Sequence, residues 1–250
     1  MSNLKNGYTK IELLMSVTII SLILVIVIPS LIENTKKQGQ VNLLKKAYTE
    51  FNEVLTQMST SKGCVADLKC SNQFDQGTTD KTLGDELVKY FKVTKNCGTT
   101  PDQGCFAKYT NENYDGTSSK VYELDNWAGY RFVTADGMSF YVWNYAADCT
   151  ENNSTGATGD LEESCGEIYV DINGPEAGPN FMGIDTFNFW IANGKGAILY
   201  PMGGVDTKWG TEDWRWKNPK NGVVQNCYTG KKTGWPCAGR IVEEGWRMKY

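Results

Sequence analysis

Residues Leu13 to Ile32 are twenty consecutive uncharged, mainly apolar residues, interrupted only by Pro29. As an α-helix, such a run extends roughly 30 Å, the thickness of the hydrocarbon core of a bilayer. It is longer than the apolar part of a usual cleaved signal peptide, and no small-x-small cleavage site or lipoprotein cysteine follows it. The run therefore predicts a transmembrane helix over residues 13–32 that carries the rest of the chain.

All eight cysteines follow the apolar run, and their number is even. No C-x-x-C pair occurs, which argues against zinc-ribbon and thioredoxin motifs. Loop cysteines after a membrane segment are typical of an oxidising, extracytoplasmic compartment. Many pairings are possible, and short loop closure favours neighbours: Cys64–Cys70, Cys97–Cys105, Cys149–Cys165 and Cys227–Cys237.

The composition argues against several functional classes. The chain has no histidine, so Ser-His-Asp catalysis, Cys-His catalysis and His-ligated zinc sites are excluded. Its net charge of −4 argues against a general nucleic-acid-binding face, which needs basic residues. We expect neither enzymatic activity nor a nucleic-acid partner. The 26 glycines, 13 tyrosines and 8 tryptophans favour a loop-rich β domain with aromatic packing.

The segment before the apolar run has a distinctive order of residues. A short leader containing Lys5 ends in glycine, and the segment Gly7–Leu13 reads G-Y-T-K-I-E-L. A carboxylate beside hydrocarbon, such as Glu12, is costly and usually has a partner. Together with Pro29, this arrangement resembles the class III signal of type IV pilins and type II secretion pseudopilins, over about the first sixty residues.

The resemblance implies specific roles for these residues. Prepilin peptidase would remove the leader, residues 1–7, by cleavage between Gly7 and Tyr8, and Tyr8 would be N-methylated. Glu12 is the glutamate of the family motif, and Pro29 is its helix-disrupting proline. Two residues depart from the pattern: Tyr8 replaces the usual phenylalanine, and Lys10 replaces an apolar residue.

Physical chemistry explains why such a motif assembles. Cleavage leaves a positive amine on Tyr8, which Glu12 of a neighbouring subunit can pair with. Pairing removes two isolated charges from an apolar fibre core and fixes the stagger between subunits. The implied partners are further copies of the chain in a filament, prepilin peptidase, an inner-membrane assembly platform and, before assembly, membrane lipid. The implied location is a single pass of the inner membrane with the head extracytoplasmic, then a cell-surface or periplasmic filament.

The residues after the apolar run predict an α+β fold. Apolar residues recur at alternating steps of three and four, which predicts that an N-terminal helix, residues 8–60, continues as an amphipathic helix. We favour packing of this stripe on an antiparallel sheet over a coiled-coil seam, although both can coexist. The head would comprise residues 61–250, with disulfide-stapled loops. The stripe consists of Val41, Leu44, Tyr48, Phe51, Leu55 and Met58.

The head shows strand and turn patterns that predict an antiparallel meander. A short helix is predicted over Leu83–Val93, and a further strand near Arg240–Val242. A surface loop is predicted between Cys149 and Cys165. The predicted strands are Val121–Leu124, Tyr130–Thr134, Met138–Trp143, Glu167–Ile172, Thr186–Ile191 and Ala197–Tyr200.

A glycine-rich segment between two of these strands carries Asp171, Asn173 and Asp185. Carboxylate and amide oxygens are ligands that calcium prefers, but the spacing is not that of an EF-hand. The loop resembles, in general character only, the calcium-binding loop of major pseudopilins. The alternative is that Asp and Asn cap tight turns, and we favour it.

Two functions are compatible with this N-terminal motif. The first, which we favour, is a structural subunit of a type IV pilus-like or type II secretion pseudopilus filament. The second is a minor or tip pilin that acts as an adhesin or carbohydrate-binding module through its tryptophan-rich C-terminal region. For those tryptophans we favour core packing over a sugar-binding platform. They are Trp209, Trp214, Trp216, Trp235 and Trp246.

Overall fold

In the computed structural model, the described residues are 9–75, 77–144, 147–150, 161–193, 198–204, 208–209, 212–213, 216, 227 and 233–250. The chain divides into two compact units between Gly39 and Gln40. The helices are α1 (Lys10–Ser61), α2 (Asp80–Leu87) and α3 (Cys237–Glu243). The strands are β1 (Val93–Gly98), β2 (Thr110–Asn111), β3 (Val121–Tyr122), β4 (Tyr130–Thr134), β5 (Ser139–Asn144), β6 (Ser164–Asp171), β7 (Thr186–Ala192), β8 (Ile198–Pro201), β9 (Lys208–Trp209) and β10 (Glu212–Asp213).

In the first unit, α1 is apolar and exposed. Its best 18-residue window has a mean hydropathy of 2.8, so the helix is long and apolar enough to cross a membrane. The hydroxyls of Ser16, Thr18 and Ser21 each donate to the carbonyl four residues earlier at 2.8 Å. These bonds satisfy the three hydroxyls without water, as an apolar environment requires.

In the second unit, α1 packs on the head through one stripe. Leu44, Phe51, Leu55 and Met58 are fully buried, whereas Tyr48 is partly buried against Phe189. Phe51 also contacts Phe140 of β5, with ring centroids 5.6 Å apart. The predicted packing of the stripe against the sheet is confirmed.

The sheet of the head has six antiparallel strands in the order β1-β4-β5-β6-β7-β8. Strands β4 to β8 follow one another in the chain, so the predicted meander is confirmed, with β1 added at one edge. The turn around Asp136 joins β4 to β5, as the Ala-Asp-Gly pattern predicts. Two small pairs, β2–β3 and β9–β10, lie outside this sheet.

The two faces of the sheet have different coverings. One face carries residues such as Phe132, Ile168 and Phe187, which share a core with α1, α2 and α3. The opposite face, called the outer face below, carries Tyr141 and Tyr169 among its residues. The outer face is covered by side chains of the 105–127 segment and of the C-terminal region, both of which are buried in the same cluster.

Four disulfides close loops of the head. They link Cys64 to Cys70, Cys97 to Cys105, Cys149 to Cys165 and Cys227 to Cys237. These are the neighbour pairs favoured by short loop closure. Within the loop predicted between Cys149 and Cys165, residues 151–160 lie outside the described part. The α+β fold with disulfide-stapled loops is thus present.

Some local predictions are wrong. The segment Arg240–Val242 is not a strand but part of α3, because Ala238 and Ile241 fall on one buried helical face. The short helix begins earlier than predicted, at Asp80, since Thr79 and Thr82 form a capping box there. It ends at Leu87, and Val93 starts β1. The strand predicted at 121–124 is the two-residue β3, paired with β2.

Candidate functional site

The helix start contains the residues of the predicted processing and assembly motif. Gly7 and Tyr8 lie outside the described residues. Glu12 accepts two hydrogen bonds on Oε2, from the backbone N–H of Thr9 at 2.8 Å and from its hydroxyl at 2.9 Å. The backbone N–H of Glu12 in turn donates to Thr9 Oγ1 at 3.2 Å. Thr9 and Glu12 therefore form a capping box at the start of α1.

The capping box gives Glu12 a partner within its own chain. A carboxylate in the first turn also interacts favourably with the helix dipole. The pattern T-x-x-E, which marks a capping box in a sequence, was the signal for this contact, and sequence reasoning missed it. Glu12 remains exposed, so its carboxylate is accessible to a further partner.

Pro29 lies inside α1, and the helix continues through it. Proline has no N–H to donate to the carbonyl of Val25, so one helical hydrogen bond is absent at this point. Pro29 is therefore a point of reduced backbone bonding within an apolar helix.

The acidic loop, residues 171–185, connects β6 to β7. Asp171 Oδ1 accepts from the N–H groups of Asn173 at 3.2 Å and Gly174 at 2.9 Å. Asp185 accepts from Asn180 N–H at 2.8 Å and from Phe181 N–H at 2.7 Å. These are turn-capping contacts, as the favoured interpretation expects.

The same loop also holds uncompensated charge. Asp171 and Asp185 are both fully buried. Burial, followed by the nearby Asp185 carboxylate, raises the pKa of Asp171 to about 7 despite its two backbone hydrogen bonds. Burial also raises the pKa of Asp185, against the hydrogen bonds from Asn180, Phe181 and Asn173. The structure therefore brings the three predicted residues, Asp171, Asn173 and Asp185, together.

Three buried oxygens of the loop have no hydrogen-bond partner: Asp171 Oδ2, Asn173 Oδ1 and Asn180 Oδ1. Orphaned oxygens beside two buried carboxylates fit a calcium ion, which prefers about six to eight oxygen ligands. No three His, Cys, Asp or Glu side chains of the described residues form a metal-binding group, so neutral oxygens would complete the set. Bound calcium would supply the positive charge that the buried carboxylates lack. Asn180 was missed because nothing in its sequence context marks it.

The acidic loop joins several parts of the head. Asn111 of β2 donates its N–H to the Asn180 carbonyl at 2.9 Å and accepts from Met182 N–H at 2.8 Å. The Tyr250 hydroxyl donates to the carbonyl of Gly183 at 2.6 Å. A change in the charge or rigidity of the loop would thus affect the hydrogen bonds that join it to the β2–β3 pair and to the C-terminal residues.

The tryptophans described in the C-terminal region are core residues. Trp216 and Trp235 are buried, at 5% and 6% exposed. Trp246 packs on Tyr48 of α1, with ring centroids 5.4 Å apart. The side chains of Trp209 and Trp214 lie outside the described part. The described members of this group do not form an exposed platform.

An open polar groove of about 880 Å³ runs beside the second part of α1. Lys46 and Asp136 form an ion pair across it. Burial raises the pKa of Glu50, next to that pair. Its lining residues are Asn42, Lys45, Lys46, Thr49, Glu50, Glu53, Val54, Gln57, Tyr90, Lys92, Thr134, Ala135 and Asp136.

No protein-family model, no curated protein and no solved structure matches this chain.

Proposed function

We propose that the chain is a structural subunit of a type IV pilus-like or type II secretion pseudopilus filament. In this proposal prepilin peptidase cleaves between Gly7 and Tyr8, and Tyr8 is methylated. The mature chain spans the inner membrane until an assembly platform transfers it into a filament of identical subunits. Its head, stabilised by disulfides, stays outside the cytoplasm.

The observation that carries the proposal is the exposed apolar part of α1. Sixteen large apolar side chains between Ile11 and Ile32 are 43% or more exposed. Covering one such side chain is worth about 1.5–3 kcal/mol, so leaving all of them in water would cost on the order of tens of kcal/mol. Lipid or neighbouring helices must cover this surface. In a filament subunit, lipid covers it before assembly and the helices of neighbouring subunits cover it afterwards.

The position of Glu12 further supports the proposal. It is the acidic residue that directly precedes the apolar run, and its capping box keeps the carboxylate at the first turn of the helix. There it can exchange the Thr9 contacts for the Tyr8 amine of a neighbour. Such an exchange replaces a local hydrogen bond by a charge pair in an apolar fibre core.

Mass spectrometry of the membrane-bound and filament forms tests the proposal. We expect a mature chain that begins at Tyr8 and carries one N-methyl group. Electron microscopy of sheared surface fibres should show the same chain as their repeating component. A filament form that retains Met1 would contradict the proposal.

The second candidate, a carbohydrate-binding tip subunit, has less support. The buried positions of Trp216 and Trp235 favour core packing over sugar contact. Abundance separates the two functions, because a tip subunit is found only at fibre ends. Labelling of Tyr250-tagged chains along the whole fibre would favour the structural subunit.

A further inference from the structure

Two buried hydroxyl residues lie on either side of Asp171 on the outer face of the sheet. Ser139 of β5 and Thr186 of β7 are each directly opposite Asp171, the last residue of β6. All three side chains are fully buried. Residues paired in this way place their Cβ atoms roughly 4.5–5.5 Å apart on one face of a sheet. The three side chains therefore form a row across three neighbouring strands, at the edge of the sheet where the acidic loop begins.

Each member of this row has an oxygen without a hydrogen-bond partner. These atoms are Ser139 Oγ, Asp171 Oδ2 and Thr186 Oγ1. A hydroxyl can donate once and accept twice, and a buried one normally makes at least one such bond. Ser164, at the other end of β6, does so: its hydroxyl donates to the Leu161 carbonyl at 2.9 Å. The unpaired hydroxyls of the row therefore require a local explanation.

The backbone brings the row and the acidic loop together. A Cβ at Gly174 of the loop would lie 2.3 Å from the carbonyl oxygen of Gly137, so the turn before Ser139 packs directly on the loop. On the other side, the N–H of Thr186 donates to the Phe181 carbonyl at 3.3 Å. The N–H of Phe181 in turn donates to Asp185. Both hydroxyl residues thus lie beside the loop that holds the two buried carboxylates.

The number of oxygens in the loop alone is small for calcium, which takes about six to eight. With Ser139 Oγ and Thr186 Oγ1 the number of available ligands rises from four to six. Calcium–oxygen bonds are about 2.3–2.6 Å long, so one ion can join oxygens up to about 5 Å apart, which is the spacing within the row. The four ligands of the loop are Asp171 Oδ2, Asn173 Oδ1, Asn180 Oδ1 and the Asp185 carboxylate.

We propose that the hydroxyls of Ser139 and Thr186 are calcium ligands, so that the metal site comprises two strands of the sheet as well as the acidic loop. Both hydroxyls are neutral, and the carboxylates of Asp171 and Asp185 together balance the charge of a divalent ion. The bound ion joins β5, β6 and β7 at one edge of the sheet. The inference concerns the head and does not rest on filament formation.

The same ligand set favours calcium over magnesium. Magnesium requires bonds of about 2.0–2.1 Å in a regular octahedron, and it usually retains several of its waters. The orphaned oxygens of the row and the loop are all buried from solvent. A site that offers protein oxygens and excludes water therefore suits the larger ion, whose coordination geometry is more flexible.

Isothermal titration calorimetry of the full-length chain in detergent tests the proposal, after a chelator has removed bound metal. We expect calcium chloride to bind and magnesium chloride to bind much more weakly. The variants Ser139→Ala and Thr186→Val each remove one hydroxyl. Each should weaken calcium binding about tenfold or more, because an interaction between a hydroxyl and a charge is lost.

Thermal unfolding without calcium separates a ligand from a structural hydroxyl. Ser139→Ala and Thr186→Val each remove an unsatisfied buried group, so the calcium-free variants should be at least as stable as the unmodified chain. Ser164→Ala is the matched control, because its hydroxyl has a partner within the head. That variant should have a lower melting temperature without calcium and an unchanged affinity for calcium.

An unchanged calcium affinity in both Ser139→Ala and Thr186→Val would overturn the proposal, as would a lack of calcium binding by the unmodified chain. If the variants do not fold, the calcium-bound structure of the unmodified chain decides the matter. Hydroxyl oxygens of Ser139 and Thr186 at about 2.3–2.6 Å from the ion support the proposal, and clearly longer distances contradict it.

Discussion

At the scale of single residues, Thr9 and Glu12 show how one carboxylate can have two partners in succession. In the isolated chain Glu12 Oε2 accepts from both the N–H and the hydroxyl of Thr9. In a filament the same oxygen atoms would face the amine of a neighbouring Tyr8. The capping function needs only an acceptor at this position, whereas the pairing function needs a negative charge.

The variants Glu12→Gln and Thr9→Ala separate these two functions. Glutamine can replace glutamate in a capping box but carries no charge, so we expect Glu12→Gln to keep the helix and lose filaments. Thr9→Ala should cost about 0.5–2 kcal/mol of helix stability at the first turn and still assemble. Circular dichroism in detergent and counting of fibres by electron microscopy measure both. Normal fibres from Glu12→Gln would mean that capping is the whole role of Glu12.

Asp171 decides whether the acidic loop binds calcium. We expect millimolar calcium to raise the melting temperature of the chain at pH 8, because an ion would compensate Asp171 and Asp185. The raised pKa of Asp171, about 7, means that protons compete with the ion at lower pH, so the shift should shrink at pH 6.

The variant Asp171→Asn is the matched control for this measurement. It retains the size of the side chain and removes one carboxylate charge, so the calcium-dependent shift should disappear. The same shift in the variant, or none in the unmodified chain at pH 8, would leave turn capping as the only role of the loop.

At the scale of elements, the packing of α2 on the sheet depends on one glycine. A Cβ at Gly84 would overlap the ring of Tyr130 in β4. The Tyr130 hydroxyl is itself held by Asp85 of α2 at 2.9 Å and by Asn96 of β1 at 2.8 Å. The ring therefore cannot move aside without breaking contacts to two other elements.

We expect Gly84→Ala to destabilise the head by about 1–3 kcal/mol, the usual cost of overpacking a core. Gly39→Ala is the matched control, since nothing lies within 4 Å of a Cβ at that helical position. Alanine should favour α1 there by roughly 0.5–1 kcal/mol. Denaturant unfolding of both variants measures the difference. Equal stabilities would show that α2 adjusts freely on the sheet.

The elements that could be predicted from the sequence are those specified by local patterns. The stripe from Val41 to Met58 has helical spacing, and the turn at Asp136 has hairpin chemistry, so both were predicted. Helix α3 was missed because its short segment contains β-branched residues, while its conformation depends on distant contacts. Gly239 lies against the backbone of Gly203, and Cys237 is bonded to Cys227.

The candidate sites also divide into those that local sequence patterns specify and those that depend on distant contacts. Asp171, Asn173 and Asp185 could be proposed together because they lie on one loop. Asn180 and its orphaned oxygen became recognisable only from burial. Glu167 occurs in a strand pattern that indicates its face, but the sequence does not show that it is buried.

At the scale of the whole molecule, the chain combines two parts that differ in whether their apolar residues are exposed or buried. The part before Gln40 exposes an apolar surface that must be covered by lipid or by other helices. The part from Gln40 onward buries its own apolar residues in two large clusters and adds four disulfides. The buried clusters and disulfides allow the second part to fold in water. The exposed apolar surface of the first part allows the chain to associate with lipid or with other helices.

This division predicts the behaviour of a chain that begins at Gln40. It retains the buried stripe of α1 from Val41 to Met58, so we expect a folded, monomeric head that is soluble without detergent. Its melting temperature should match that of the full chain, because the residues that are removed contribute no buried core. It should form no fibres, since the surface that drives association is gone. Size-exclusion chromatography, thermal unfolding and electron microscopy measure the three properties, and fibres from the shortened chain would place the assembly contacts in the head instead.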